Sequence, residues 1–484
     1  MSDSLERLAS GCILAGFAGT TTPPWLERAL DDGLGGVVLF ARNVEGPEQL
    51  RRLTESIRVA ATTVVAIDEE GGDVTRLEAS RGSSLPGALA LGSVDDVALT
   101  EQVARAIADE LRTAGITLNL APVADINVNP LNPVIGVRSF GSDPALVSRH
   151  VAAFVTGLQA GGVGACAKHF PGHGATDVDS HLGLPVVSAT REELLEVELE
   201  PFRAAIAAGT RAIMSAHLVV PAIDAVPATL SHAQLTGLLR DELGFAGTIV
   251  TDALEMKAVS ETVGMEEGAV QALLAGADAL CLGHDIDEGH VTRARAAIVA
   301  AVREGRLDES TVAEAAIRVA ASHAPGVADR DSTTPSFAEL GLAAARRAVR
   351  TWGAVSDGRP LLLVELAGTT SVAAGLPSHD LASILRELRA DVATISTSEA
   401  QVGEALAAVR ASPDRRPVVV VRDVDRHPWQ QDAAAAILAV DARAVVVDVG
   451  YPAQSTPMLN GGITTFGSGR ASLTAAAELL LGPR

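Results

Sequence analysis

The chain has 484 residues, more than one ordinary domain needs, and is 48% hydrophobic but only 3% aromatic, so its core must be built mainly from Ala, Val, Leu and Ile. A formal net charge of -22 argues against nucleic acid or an anionic membrane surface as the main partner. Three cysteines, Cys12, Cys166 and Cys281, each lie in an apolar run and read as small buried hydrophobes, not as a disulfide framework.

Taken from the N-terminus, "LASGC" before Cys12 faintly resembles a lipoprotein cleavage box, but "MSDSLERLAS" has no basic head and no apolar stretch of secretory length. No run of about 20 apolar residues occurs elsewhere, so the expectation is a soluble, cytoplasmic protein. Seven short apolar runs then alternate with amphipathic helical stretches. They are "GGVVLFARN" (35–43), "VVAIDEEGG" (64–72), "ITLNLAPVADIN" (116–127), "GACAKHFPG" (164–172), "AIMSAHL" (212–218), "GTIVTDALEM" (247–256) and "ADALCLGHD" (277–285). Continuous apolar runs without alternation suit parallel strands covered on both faces. Each run ends in polar residues: Arg42 and Asn43, Asp68 and Glu69, Asp125 and Asn127, Lys168 and His169, His217, Asp252, then His284 and Asp285. In a (β/α)8 barrel all such ends reach one mouth, whereas a doubly wound sheet gathers them only at its switch point. The pattern therefore predicts a TIM barrel with an unclear eighth strand over 1–325.

"SHAPGVADRDSTTPS" interrupts the pattern, and a linker is expected over 326–336. A smaller three-layer α/β sandwich is expected over 337–484, with strands "PLLLVEL" (360–366), "DVATIS" (391–396), "PVVVVRD" (417–423) and "RAVVVDVG" (443–450), and with "GGITTFGSG" (461–469) as a strand end and loop.

The densest cluster is "KHFPGHG" (168–174), followed by "ATDVDSH". Lysine occurs only at 168 and 257, so an ammonium inside this cluster stands out. His169, His173 and His181 with Asp177 or Asp179 could supply zinc ligands. Pro171 and Gly172 break the spacing, however, and Lys168 would set a cation beside the metal. An acid/base reading fits better, because Asp179 and His181, two apart in an extended stretch, share a side and the carboxylate can orient the ring. A structural polar turn remains the bland alternative.

"KHFPGHG" and "DSH", taken with "GVVLFARN", "IDEEGGDVTRL", "GVRSFGSD" and "TDALEM", resemble glycoside hydrolase family 3 in its bacterial β-N-acetylglucosaminidase branch. The motifs keep the family's order over about residues 10–290, and the tail resembles the second domain of two-domain members. The resemblance implies that Asp252 is the nucleophile, His181 the general acid/base and Asp179 its dyad partner. It implies that Asp68, Arg76, Arg138, Lys168 and His169 hold a terminal N-acetylglucosamine, with no cofactor and no metal. His173 matches a position to which no substrate contact is assigned. The implied activity is a retaining exo-β-N-acetylglucosaminidase acting on small carbohydrates. The alternatives are a phosphorylase using inorganic phosphate on the same site and, more distantly, a metal-dependent hydrolase; a homodimer is also expected. "AHLVVPAIDAVPATLS" lacks the Arg-rich stretch often found in members that recycle cell-wall fragments, so the resemblance does not fix the leaving group.

Overall fold

The computed structural model describes residues 2–58, 62–180, 183–284, 286–323, 336–366, 380–452 and 461–482. His181, Asp285 and all of the expected linker except Ser336 lie outside these residues. Within them, contacts divide the chain into two compact units. One comprises Met1–Glu69, Val97–Val128 and Ser142–Thr333; the other comprises Glu70–Asp96, Asn129–Gly141 and Thr334–Arg484.

The first unit is the barrel. Its strands are β1 (Ile13–Ala15), β2 (Gly36–Leu39), β3 (Val64–Ile67), β4 (Leu118–Asn119), β5 (Gly164–Phe170), β6 (Ala212–Ser215), β7 (Thr248–Thr251) and β8 (Leu280–Leu282). They form one parallel sheet in the order β7-β6-β5-β4-β3-β2-β1-β8, and a parallel bridge between Val250 and Ala279 brings its two ends nearly to closure. Inward positions are filled by Leu14, Val38, Ala66, Leu118, Cys166, Ala212, Met214 and Cys281. Eight strands converging on one axis leave room for small side chains, which accounts for the scarcity of aromatics. All three cysteines are buried free thiols.

The strand that the apolar pattern left unclear is β1. Three residues in "CILAGF" are too short to show a period, and their place is set by pairing with β2 on one side and β8 on the other.

The second unit holds a six-stranded sheet of β9 (Arg350–Gly353), β10 (Leu361–Leu366), β11 (Val392–Thr397), β12 (Arg416–Val421), β13 (Val445–Asp448) and β14 (Gly461–Thr464). Its order is β11-β10-β12-β13-β14-β9, parallel except for β9, which runs antiparallel to β14. Alternate residues feed opposite layers, as the two-residue strand period requires. Leu361 and Leu363 pack with the helices Leu381–Glu387 and Arg470–Leu481, while Leu362 and Val364 pack with Val402–Ala411 and Pro428–Val440. The edge strand β9 has no apolar run and is mostly exposed, so its sequence carries no strand signal. The helix Phe337–Ala348 begins on a reciprocal cap between Ser336 and Glu339. Among the described residues, no helix is long and apolar enough to cross a membrane.

Candidate active site

In the barrel unit, β3, β5 and β7 each end in a residue singled out from the sequence. Asp68 follows β3, Lys168 and His169 lie in β5, and Asp252 follows β7. The Lys168 ammonium, 2% exposed, donates to the Asp68 carboxylate at 2.5 Å. A buried ammonium left unpaired would cost several kcal/mol, so the pair holds both charges at the strand ends. Asp68 and Asp252 both act on the buried thiols of Cys166 and Cys281. Burial is the main force raising each thiol's pKa, and the two carboxylates add to it. Cys166 also feels the opposing pull of Lys168, so these three charged groups share one end of the barrel interior.

Asp252 is fixed through its backbone. Its N–H donates to the Ser215 carbonyl at the end of β6 (3.1 Å), and its Oδ1 accepts from the Ala253 N–H (2.8 Å). The fully buried His217 donates Nε2–H to the Ala253 carbonyl at 2.9 Å, and its Nδ1 meets the Thr229 hydroxyl at 2.9 Å. His217 therefore braces the peptide after Asp252. Arg42, Asn43 and His284, also strand-end residues, brace loops: Arg42 reaches the carbonyls of Phe17 and His284, and Asn43 donates to those of Phe17 and Gly19.

The shape of "KHFPGHG" depends on Asp125, a fully buried carboxylate in the segment after β4. Its Oδ2 accepts from His169 Nδ1 (2.7 Å), and its Oδ1 accepts the backbone N–H of His169 (3.1 Å) and of His173 (2.7 Å). Burial alone would raise this carboxyl's pKa. The His169 ring and the bonds from His169 and His173 outweigh it and hold the pKa below the usual carboxylate value. The bond at Nδ1 leaves Nε2 as the remaining polar atom of the His169 ring. The pairing of β5 with β6 slips by one residue between Lys168 and Phe170, and the peptide bonds Lys168–His169 and Phe170–Pro171 are both cis. Gly174 admits no side chain, since a Cβ there would lie 1.7 Å from the Ile126 carbonyl oxygen.

His173 holds the loop that follows. Its Nδ1 lies 2.7 Å from Thr176 Oγ1, whose own proton goes to the His173 carbonyl (2.9 Å), so Nδ1 is the donor. Its Nε2 meets Ser180 Oγ at 3.3 Å. Burial, with help from the charge of His169, pushes the His173 pKa down to about 4, so the ring is neutral at physiological pH. Asp179 is buried beside Ser180, and His181, outside the described residues, follows them. Among the described residues, no three His, Cys, Asp or Glu side chains group as a metal site.

The two remaining sugar-binding candidates belong to the second unit. Arg138, 6% exposed, forms a two-pronged pair with Glu70 at 2.8 and 3.0 Å and donates to the Val134 carbonyl at 3.1 Å. Arg76 is partly buried, six residues after Glu70.

Sequence reasoning assigned no site role to Asp125, Glu70, His217 or Glu198. The first three lie within the quoted strand-end runs, where a polar residue amid apolar neighbours was a signal. Glu198, in the π-helical turn Leu194–Glu198, gave none. Its buried carboxyl sits against Gly172, with Oε2 2.7 Å from where a Cβ at 172 would be. Burial, reinforced by the charge of Asp125, pushes its pKa up to about 8. The fold thus keeps a proton that the unfolded chain loses near the ordinary 4.5. This contribution to stability is complete below that value and is lost as pH rises towards 8. In thermal or denaturant melts, Glu198→Gln should therefore gain on the parent as pH rises from about 5 to 8. The slope should approach ~1.4 kcal/mol per pH unit, the limit for a single proton. A stability difference that stays flat with pH would show that Glu198 is ionised in the fold.

The profile of the glycosyl hydrolase family 3 N-terminal domain matches residues 25–322. Beta-hexosaminidase A of Pseudoalteromonas piscicida is 39% identical over 286 residues, covering 54% of this chain and 48% of that protein, so the match spans about half the relative's length. A glycoside hydrolase family 3 beta-N-acetylglucosaminidase from Paenibacillus sp. str. FPU-7 superposes with a TM-score of 0.88 at 33% identity, covering 99% of this chain and 96% of that one. Beta-glucoside phosphorylase BglX superposes at 0.76 with 19% identity, covering 99% and 92%, a likeness of fold alone.

Proposed function

Because the chain belongs to glycosyl hydrolase family 3, we propose that it is a retaining exo-β-N-acetylglucosaminidase that releases terminal β-linked N-acetylglucosamine through a covalent glycosyl-enzyme on Asp252. The observation that carries this reading is the braced carboxylate of Asp252 at the end of β7, in the same barrel as the Asp68–Lys168 pair. The names of the similar proteins, a beta-hexosaminidase and a beta-N-acetylglucosaminidase, support the substrate class.

In this mechanism Asp252 attacks the anomeric carbon from one face while a proton donor on the other face protonates the leaving oxygen. A nucleophile on a strand end with a fixed backbone stays in attacking position without loss of order. His181 is the proton donor, and after departure of the leaving group it deprotonates the incoming water. Asp179 orients the ring and stabilises the imidazolium. The assignment rests on "DSH" and gains support from His173, whose ring meets Ser180 between the two dyad members. Asp68, Lys168 and His169 take sugar hydroxyls, with charged partners giving the stronger bonds. The family motifs assign Arg138, held by Glu70, and Arg76 to the same terminal sugar.

Asp252→Asn should abolish turnover, since an amide cannot form the glycosyl ester; activity within tenfold of the parent would remove Asp252 from the nucleophile's role. His181→Ala should lose roughly 10²–10⁴-fold on alkyl or sugar leaving groups. The loss should be much smaller on 4-nitrophenolate, which departs with little protonation, and equal losses on both substrate types would make His181 structural.

A second reading, phosphorolysis, is favoured by one feature, the histidine acid/base. A carboxylate base about 4 Å from an incoming phosphate would repel it by roughly 4 kcal/mol per charge pair at an effective dielectric near 20, and a neutral imidazole avoids this. Hydrolysis remains the preferred reading, since no phosphate-binding loop is evident in the sequence. Assays with and without inorganic phosphate should give free sugar at the same rate; a sugar 1-phosphate, formed faster as phosphate rises, would establish the second reading.

A further inference from the structure

The loop "FGSG" near the C-terminus and the charged residues after β12 have no role in the chemistry above. Both converge on the turn that leads to Arg76 and begins with Glu70, the partner of Arg138, and all the residues involved lie in the second unit.

The turn is built on "EGGDV". The Glu70 N–H donates to the Val74 carbonyl (3.0 Å), the Val74 N–H to the Gly71 carbonyl (3.3 Å), and the Gly72 N–H to the Leu85 carbonyl (3.0 Å). Asp73 sits at its tip with a side chain only 4% exposed. Its Oδ1 accepts the Ser468 N–H at 2.6 Å, and its Oδ2 accepts the Ser468 hydroxyl at 3.1 Å and the Arg422 guanidinium at 2.5 Å. Arg422 also donates to Ser468 Oγ at 2.9 Å, closing a triangle. The "FGSG" backbone lies flat on the turn: a Cβ on Gly469 would come within 3.0 Å of Gly72 Cα, and one on Gly467 within 3.1 Å of Asp73 Oδ1. Arg422 is seated in turn by the buried Gln430, which accepts its backbone N–H at 2.8 Å. A small cavity of about 20 Å³ is lined by Asp73, Asn132, Arg138, Arg422 and Arg426 among others, so the end of β12 faces the segment that carries Arg138.

We propose that Arg422 and Ser468 are positioning residues for sugar binding. By clamping Asp73 they fix the turn that ends in Arg76 and whose first residue, Glu70, holds Arg138. Arg422 and Ser468 then act on substrate affinity through this turn. This rests on the reading of Arg76 and Arg138 as ligands of the terminal sugar. A clamp that only stabilised the fold would lower the melting temperature and leave the kinetics of the folded enzyme unchanged. A clamp that positions the arginines raises KM and the inhibition constant of free N-acetylglucosamine with kcat nearly intact, the mark of lost uniform binding.

The test is a double-mutant cycle on the full-length enzyme, reading the inhibition constant of N-acetylglucosamine, KM and kcat. Arg138→Ala should weaken binding of the sugar, Arg422→Gln should weaken it about tenfold, and in the Arg138→Ala background the further loss from Arg422→Gln should fall well below tenfold, because only the share exerted through Arg76 remains. Ser468→Ala keeps the ion pair and should show the same pattern at about threefold, and it carries the comparison if Arg422→Gln fails to fold. If Arg138→Ala leaves binding unchanged, the underlying assignment of the arginine fails, and the positioning role with it. If Arg138→Ala weakens binding while the Arg422 and Ser468 variants do not, or if the effects simply multiply, the positioning role alone is overturned.

Discussion

The geometry at the C-terminal ends of the barrel strands depends on one fully buried carboxylate, Asp125, accepting three hydrogen bonds from a single stretch of seven residues. Two come from backbone N–H groups and one from the His169 ring, so the carboxylate sets both the path of the chain and the orientation of a side chain. An acceptor in this position cannot be left unmade, because burying a charge without partners costs more than any one of its bonds returns. The order of the "KHFPGHG" segment, the seating of His173 and the course of the loop towards Asp179 follow from it. Because the His169 Nδ1 is bound to Asp125, the ring presents Nε2, a choice made by a neighbouring carboxylate.

The charged groups at this end divide into two kinds of work. Asp68, Lys168 and Asp252 stand at strand ends, the first two paired with each other and the third braced through its backbone, as preorganised electrostatics requires. Arg42, Asn43, His217 and Asp125 face carbonyls or backbone N–H groups and hold the loops in place. Two buried groups have pKa values pushed in opposite directions, His173 to about 4 and Glu198 to about 8, and both are neutral near pH 7. His173 and Glu198 therefore add no charge beside Asp125, which limits the number of ions that burial must compensate.

Much of the architecture was legible because parallel strands covered on both faces read as unbroken apolar runs. Seven barrel strands and β10, β12 and β13 of the second sheet announced themselves this way. Ile13–Ala15 and Arg350–Gly353 did not: the first is three residues long and the second is an exposed edge, and each is a strand only because a partner strand lies beside it. The candidate site was legible where an unusual residue falls in an apolar setting, as with Lys168, one of two lysines in an arginine-rich chain. It was not legible where a residue acts through a distant contact. Glu198 lies 26 residues from Gly172 in sequence and Arg422 lies 349 from Asp73, and no local pattern encodes either meeting. The same reason hid the grouping of Glu70–Asp96 and Asn129–Gly141 with the C-terminal unit, since a loop's allegiance is decided by what it packs on, not by the strand it follows.

The central claim is that Asp252 acts as a nucleophile through a double displacement. The most direct measurement is proton NMR of the sugar first released, recorded before mutarotation equilibrates the anomers. Two inversions at the same carbon return the starting configuration, so the account predicts the β anomer of N-acetylglucosamine in the earliest spectra. First appearance of the α anomer would mean a single displacement by water, and would contradict the role of Asp252 on which the mechanism is built.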